Sequence, residues 1–157
     1  MNQTQNVQAK KVILVANGVN LDLLGSRESG LYGKKSLNDL KDLLNKTLPS
    51  FENLIGKNGF KLEFFQTNSE EAYLNKLNGN WTGILLNPGA WTHTSLALAD
   101  RLRGIRIPYV EVHITNLSCR DHVRHQSFTA AESSGVVYGL GLDSYLLGLL
   151  GLLRIVA

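Results

Sequence analysis

The sequence VILVA (12–16), followed by NGVNLDLLGSRESGLYG (17–33), decides the fold and points to the working end of the molecule. The first segment is a continuous apolar run, which is typical of a strand buried on both faces of a parallel sheet. The second follows at the carboxyl end of that strand, where α/β proteins place their ligand-binding loops. A loop of this length without periodicity is usually a lid, a binding loop or a disordered segment. Arg27 and Tyr32 favour a lid whose side chains take part in the reaction, so we predict an active-site lid over residues 17–33.

Strand patterns alternate with helical patterns along the rest of the chain. The segments predicted as strands are 12–16, 60–66, 82–86, 109–113 and 136–138. Strands that alternate with helices favour a parallel sheet that is covered by helices on both faces. Because crossover connections are right-handed, we predict a flavodoxin-like, doubly wound, five-stranded parallel sheet in three α/β/α layers. The chain shows no repeat and no domain boundary, so residues 1–157 are expected to form a single domain.

The helices are predicted from leucine spacing and from residues that cap or stop helices. They cover residues 36–48, 51–58, 69–77 and 95–103, and a last helix begins at Asp143 or Ser144. Pro49 is expected to break or kink the first helix, because it lacks a backbone N–H and clashes with the preceding turn. Gly104 is expected to end the helix that begins near Ser95.

The composition is that of an ordinary soluble globular protein, with 43% hydrophobic and 18% charged residues among 157. The net charge of +3 is mild and the basic residues are scattered, which argues against nucleic-acid binding. Cys119 is the single cysteine, so we expect a reducing compartment and a cytoplasmic location. Residues 1–10 are polar and lack the apolar core of a signal peptide, so they are expected to form a disordered tail. The apolar segment 145–157 is too short to span a bilayer and is interpreted as a core or oligomer-facing helix, with no membrane contact.

Polar residues concentrate in three loops, each of which follows a predicted strand. These loops are 17–33, NPGAWTHTS (87–95) and HITNLSCRDHVRH (113–125). In a doubly wound sheet the carboxyl ends of the strands lie at one edge, where ligands bind. The sequence therefore predicts a site at that edge, lined by asparagine, histidine and arginine side chains.

Two of the histidines have both a structural and a functional interpretation. His113 ends an apolar strand, and Glu111, two residues earlier, projects from the same face. A neighbouring carboxylate can fix the tautomer of a histidine and suit it to general acid catalysis, although a buried structural histidine fits the pattern equally well. His93 precedes a helix that Thr94 or Ser95 could cap, and the free N–H groups of such a helix start could also bind an anion or a hydroxyl group.

The remaining polar residues of the third loop allow weaker interpretations. His122 and His125 could share a helix face, but no further ligand completes a metal site, so we interpret them as surface or partner-contact histidines and predict no metal. Arg120 and Arg124 lie four residues apart, on one face if the segment is helical. They form either a solvated patch or, together with Arg27, the surroundings of an anionic substrate or a phenolate.

Five segments together resemble the type II 3-dehydroquinate dehydratases. They are NGVNLDLLGSRESGLYG (17–33), QTNSEEAYL (66–74), LNPGAWTHTSLALADRL (86–102), EVHITNLSCRDHVRHQSF (111–128) and GVVYGLGLDSYLLGL (135–149). The resemblance implies a flavodoxin-like hydro-lyase of the shikimate pathway, which converts 3-dehydroquinate to 3-dehydroshikimate through an enolate. It implies neither a cofactor, a metal nor a Schiff base. A non-catalytic, oligomeric relative that binds small anions is the alternative.

The resemblance also implies a role for each matching site residue. Tyr32 is the general base, Arg27 is the arginine of the lid, Asn20 holds the water that stabilises the enolate, and His113 is the general acid. The substrate-binding residues are Asn87, Gly89, His93, Asp100, Ile114, Thr115 and Arg124. Family members form trimers and often dodecamers, in which the residue matching Asp100 reaches a neighbouring site. Val19 and Ser29 replace two prolines that are usual in the family, so we expect an open lid that is more flexible.

Overall fold

A five-stranded, all-parallel sheet forms the centre of the fold. The computed structural model describes residues 11–26 and 35–157. Its strands are β1 (Lys11–Asn17), β2 (Phe60–Gln66), β3 (Gly83–Asn87), β4 (Tyr109–His113) and β5 (Gly135–Tyr138). Their order in the sheet is β2-β1-β3-β4-β5, and each neighbouring pair is parallel. This is the flavodoxin-like order, so the predicted fold class is confirmed.

Helices cover both faces of the sheet. They are α1 (Leu37–Ile55), α2 (Glu70–Leu77), the one-turn α3 (Trp91–Thr94), α4 (Leu96–Ile105) and α5 (Asp143–Val156). Alternate residues of β1 face opposite layers, because side chains alternate along a strand. Ile13 and Val15 pack with α1 and α5, whereas Leu14 and Ala16 pack with α2 and α4. Two hydrophobic cores, one on each face, therefore hold the three layers together.

Helix α1 continues through Pro49, contrary to the predicted break. It begins with a capping box in which the Ser36 hydroxyl accepts from Asp39 N–H and the Asp39 carboxylate accepts from Ser36 N–H. Its residues Leu40, Leu44 and Leu48 are buried in the core on that face. This apolar stripe extends beyond the proline through partly buried residues packed against the same core. Burial of the stripe thus outweighs the hydrogen bond that Pro49 cannot donate.

The end of α4 also differs from the prediction. Ser95 caps the helix as expected, since its hydroxyl accepts from Leu98 N–H at 2.9 Å. The helix does not stop at Gly104 but runs to Ile105, and Arg106 closes it with a left-handed φ of 54°. The stop residue predicted from the sequence was therefore wrong by two positions.

The third loop forms short 3₁₀ turns rather than one α-helix. These turns are Leu117–Cys119 and His122–Arg124, and a further one follows at Ala130–Glu132. Arg120 and Arg124 consequently do not share an α-helical face, so the condition under which the sequence placed them together is not met.

Helix α5 packs very closely against the sheet. A Cβ atom at Gly148 would lie 2.4 Å from Cγ1 of Val112 on β4, so only glycine permits this approach. No helix within residues 11–26 and 35–157 is long and apolar enough to cross a membrane. The predicted tail, residues 1–10, and the part of the predicted lid at 27–33 lie outside the described residues.

Candidate active site

A cavity opens at the carboxyl ends of β1, β3 and β4, where the three polar loops were predicted to meet. Its lining comes from those loops and consists of Val19, Asn20, Leu21, Leu24, Asn87, Gly89, Ala90, His93, His113, Ile114, Thr115, Leu117, Arg120 and Arg124. Eight of the predicted site residues are in this set, namely Asn20, Asn87, Gly89, His93, His113, Ile114, Thr115 and Arg124. The topology therefore gathers residues that lie far apart in the sequence.

The loops after β1 and β3 contact each other at one wall of the cavity. Gly89 has a φ of 63°, and a Cβ atom there would lie 2.6 Å from the backbone oxygen of Val19. The left-handed backbone favours glycine, and the close contact with Val19 requires it. Asn20 is itself left-handed, with φ 65°, and its N–H donates to Asn68 Oδ1 at 2.8 Å. This wall is therefore fixed by backbone geometry.

Behind this wall, Asn87 is held by a buried hydrogen-bond chain. The Asn87 Nδ2 group donates to the Tyr145 hydroxyl at 2.7 Å, and that hydroxyl donates to Asn17 Oδ1 at 2.6 Å. The Asn87 Oδ1 atom accepts from Gly89 N–H at 3.1 Å. The chain connects α5 to the ends of β1 and β3.

His113 and Glu111 form a buried pair at the end of β4. His113 Nε2 lies 2.7 Å from Glu111 Oε1, and their side chains are 6% and 0% exposed. The prediction that the two side chains share one face of the strand is thus confirmed. His113 also lines the cavity, so a structural role alone does not account for its position.

Hydroxyl groups surround the Glu111 carboxylate. Thr92 Oγ1 donates to Oε1 at 2.7 Å and Thr129 Oγ1 donates to Oε2 at 2.5 Å. Burial by itself would raise the pKa of Glu111, but the contact with His113 and these hydroxyl groups outweigh it and lower the pKa below its ordinary value. Glu111 therefore remains a carboxylate, which accepts from Nε2–H of His113 and leaves Nδ1 as the other nitrogen of that ring.

One short segment contacts both histidine sites, and we name Gln126–Thr129 the backing segment. His93 Nδ1 donates to the backbone oxygen of Gln126 at 2.7 Å, and Phe128 N–H donates to the backbone oxygen of Thr92 at 2.8 Å. Burial lowers the pKa of His93 below its ordinary value, in spite of the opposing contact with Gln126. His93 is therefore neutral at physiological pH, with Nε2 as a hydrogen-bond acceptor.

Two arginines give the mouth of the cavity a positive charge. Arg120 and Arg124 both line it, and Arg120 Nη1 donates to Thr115 Oγ1 at 3.2 Å. His122 and His125 are exposed, with ring centroids 5.4 Å apart. Within residues 11–26 and 35–157, no group of three or more His, Cys, Asp or Glu side chains is placed to hold a metal ion. The cavity therefore suits an anionic, hydroxyl-bearing ligand.

Comparison with known proteins assigns this arrangement to a family. The sequence model of that family, dehydroquinase class II, matches residues 11–153. The chain belongs to the class II dehydroquinase family. A 3-dehydroquinate dehydratase of Prochlorococcus marinus (strain NATL1A) is 43% identical over 143 residues, which cover 89% of this chain and 94% of the relative. The 3-dehydroquinate dehydratase of Synechococcus sp. (strain CC9605) is 43% identical over 144 residues, which cover 90% of this chain and 94% of the relative.

Solved structures of class II dehydroquinases share the fold. The type II dehydroquinase from Butyrivibrio crossotus DSM 2876 aligns with a TM-score of 0.81 and 35% identity, covering 90% of this chain and 97% of that one. The type II dehydroquinase from Propionibacterium acnes aligns with a TM-score of 0.77 and 36% identity, covering 90% of this chain and 95% of that one. The resemblance inferred from the sequence is thus confirmed over nearly the whole chain.

Two of the residues predicted for a class II dehydroquinase site are not among the described residues, and a third, Asp100, lies away from the cavity lining. Arg27 and Tyr32 lie outside the described residues. Asp100 is on the exposed side of α4, where its carboxylate lies 3.2 Å from Arg103 Nη1. Its predicted role requires a neighbouring subunit, and its exposure is compatible with that role.

Two residues that hydrogen-bond to the site's side chains could not be identified from the sequence. Tyr145 lies in an apolar stretch and was interpreted only as part of a core or oligomer-facing helix. Thr129 carried no motif at all. Their partners are 128 and 18 residues away in the sequence, so no local pattern could identify these contacts.

Proposed function

We propose that this class II dehydroquinase is a 3-dehydroquinate dehydratase, which converts 3-dehydroquinate to 3-dehydroshikimate and water. The observation that carries the proposal is the buried Glu111–His113 pair, which borders the cavity in a chain that matches the family over residues 11–153. The reaction removes a proton next to a ketone and a hydroxyl group from the adjacent carbon. It therefore needs a base, a means to stabilise the enolate and an acid.

The base proposed is Tyr32, which takes the proton as a phenolate. A free tyrosine titrates near pH ~10, so a phenolate near pH ~7 needs about 4 kcal/mol of differential stabilisation. One exposed ion pair supplies only about 0–1 kcal/mol. Arg27 of the lid, together with the arginines at the cavity mouth, would stabilise the phenolate by more than this once closure of the lid removes water.

The enolate and the substrate's own groups then need fixed partners. Asn20 is proposed to hold a water molecule against the enolate oxygen. Ile114 and Thr115, directly after β4, are proposed to bind the carboxylate, which suits the positive charge of Arg120 nearby. Asn87, His93 and Arg124 are proposed to bind hydroxyl groups, with Gly89 shaping the wall between them.

His113 is the proposed general acid. It gives a proton to the leaving hydroxyl group, which departs as water while the electron pair of the enolate forms the new double bond. The carboxylate of Glu111 would stabilise the imidazolium form that this step requires and hold the ring at Nε2, which leaves Nδ1 for the substrate. The protons removed and added are held by Tyr32 and His113, so the step balances without a redox partner.

The assembly and location of the enzyme are part of the same proposal. We infer a trimer that assembles into a dodecamer, in which the exposed Asp100 reaches the site of a neighbour. The free, exposed Cys119 is compatible with a cytoplasmic location. The proposed role is in aromatic amino acid biosynthesis.

An ultraviolet assay tests the function directly. Purified protein is mixed with 3-dehydroquinate, and the absorbance of the conjugated enone product is followed. A sustained increase with protein concentration is the expected result. Binding of 3-dehydroquinate without formation of the enone would instead support the non-catalytic, anion-binding relative.

A further inference from the structure

Tyr145 is 0% exposed and lies on the first turn of α5. It does not line the cavity, but its hydroxyl group contacts Asn87, which does. Burial raises the pKa of Tyr145 well above its ordinary value, so the hydroxyl group remains protonated and can donate one hydrogen bond.

The direction of each hydrogen bond in the chain follows from that single proton together with Gly89 N–H, which can only donate. The side-chain oxygen of Asn17 accepts the Tyr145 hydroxyl proton at 2.6 Å. The hydroxyl oxygen can then only accept from Asn87, so Asn87 must turn its NH₂ group towards Tyr145. This in turn leaves Asn87 Oδ1 for Gly89 N–H, and these two atoms lie 3.1 Å apart.

We infer that Tyr145 is a positioning residue, whose hydroxyl group fixes the amide orientation of Asn87 and thereby the donor that Asn87 presents to the hydroxyl groups of the substrate. The inference rests on the proposed function for the identity of the substrate. An amide that is free to turn by 180° exchanges a donor for an acceptor at the same place. Tyr145 removes that freedom together with Gly89 N–H, through a contact that spans α5, β1 and β3.

Tyr73 provides a matched control on the opposite face of the sheet. It is also 0% exposed, and its hydroxyl group donates to the backbone oxygen of Ala16 at 3.0 Å. Tyr73→Phe and Tyr145→Phe each remove one buried hydroxyl group and keep the ring. The two variants should therefore lose comparable stability, whereas only Tyr145→Phe frees Asn87.

The experiment compares steady-state kinetics of the wild type, Tyr145→Phe, Tyr73→Phe, Asn87→Ala and the Tyr145→Phe/Asn87→Ala double variant. We expect Tyr145→Phe to raise KM about tenfold, the order associated with one misplaced hydrogen bond, with a smaller change in kcat. Tyr73→Phe should leave KM unchanged. The double variant should resemble Asn87→Ala, since both changes act on the same amide. Equal KM values for the two phenylalanine variants, or independent effects in the double variant, would overturn the inference.

A second variant and a second measurement keep the test decisive. Asn17→Ala removes the acceptor that sets the direction of the chain, so it should raise KM in the same way even if Tyr145→Phe does not fold. If the wild type does not dehydrate 3-dehydroquinate, the proposed function fails, and neutron crystal structures of the wild type and the folded variant, which distinguish the amide oxygen from the NH₂ group, decide the inference. Asn87 should then lose its contact with Gly89 N–H in the variant; an unchanged contact would overturn the positioning role.

Discussion

Glu111 Oε1 accepts a hydrogen bond from Nε2 of His113 at 2.7 Å, and both side chains are almost completely buried. The carboxylate fixes which nitrogen of the imidazole faces away from it. Nδ1 is therefore the nitrogen through which the proposed acid would deliver its proton.

Glu111→Gln should lower kcat about 10²-fold, within the range typical of general acid catalysis, and leave KM nearly unchanged. The amide is nearly isosteric but cannot stabilise the imidazolium form of His113. The rate of enone formation measures the effect. Glu132→Gln, at an exposed carboxylate paired with Arg103, is the control. An unchanged kcat in Glu111→Gln would show that the carboxylate does not assist the acid.

The pH dependence of stability should also report on Glu111. Its pKa is lowered in the folded state, so its ionisation contributes stability above the unfolded pKa of about 4.3. That contribution is lost as the pH falls through the folded pKa. Thermal unfolding from pH 6 to pH 3 should therefore show a steeper fall of Tm for the wild type than for Glu111→Gln. Parallel curves would contradict the assignment, and Glu132→Gln should follow the wild type.

Tyr32→Phe should lower turnover by about 10²–10⁴-fold while substrate binding is largely retained, because it removes the proposed base and keeps the ring. Kinetics measure turnover, and calorimetric titration with 3-dehydroquinate measures binding. Tyr138→Phe removes an exposed phenol that contacts Ser118 at 3.1 Å and serves as the control. A near wild-type rate in Tyr32→Phe would eliminate Tyr32 as the base.

Pro49→Ala should increase the free energy of unfolding. A proline inside a helix costs about 3 kcal/mol relative to alanine, a difference that already includes its restriction of the unfolded chain. The expected gain is therefore up to about 3 kcal/mol, measured by urea unfolding. Ser50→Ala, at the exposed neighbouring position, should change stability much less. A loss of stability in Pro49→Ala would mean that the helix is adapted to the proline.

The fold could be predicted because its determinants are local. Buried strands appear in the sequence as apolar runs, as in residues 12–16, and the loops at their carboxyl ends contain the polar residues. The Glu111–His113 contact was also predictable, since a spacing of two in a strand places both side chains on one face. Each of these patterns occupies only a few consecutive residues.

The errors and omissions arose where distant contacts decide the outcome. Pro49 disfavours a helix locally, but the core contacts of Leu44 and Leu48 maintain it. The hydroxyl groups of Tyr145 and Thr129 have their partners on other elements, so their function depends on the assembled sheet. Side-chain hydrogen bonds of this kind have no periodicity by which a sequence could reveal them.

The backing segment has a consequence for engineering the enzyme. Gln126–Thr129 contacts His93 through Gln126 and Glu111 through Thr129, so His93 and, by way of Glu111, His113 are anchored to the same four residues. A library that varies this segment would change both histidine sites at once.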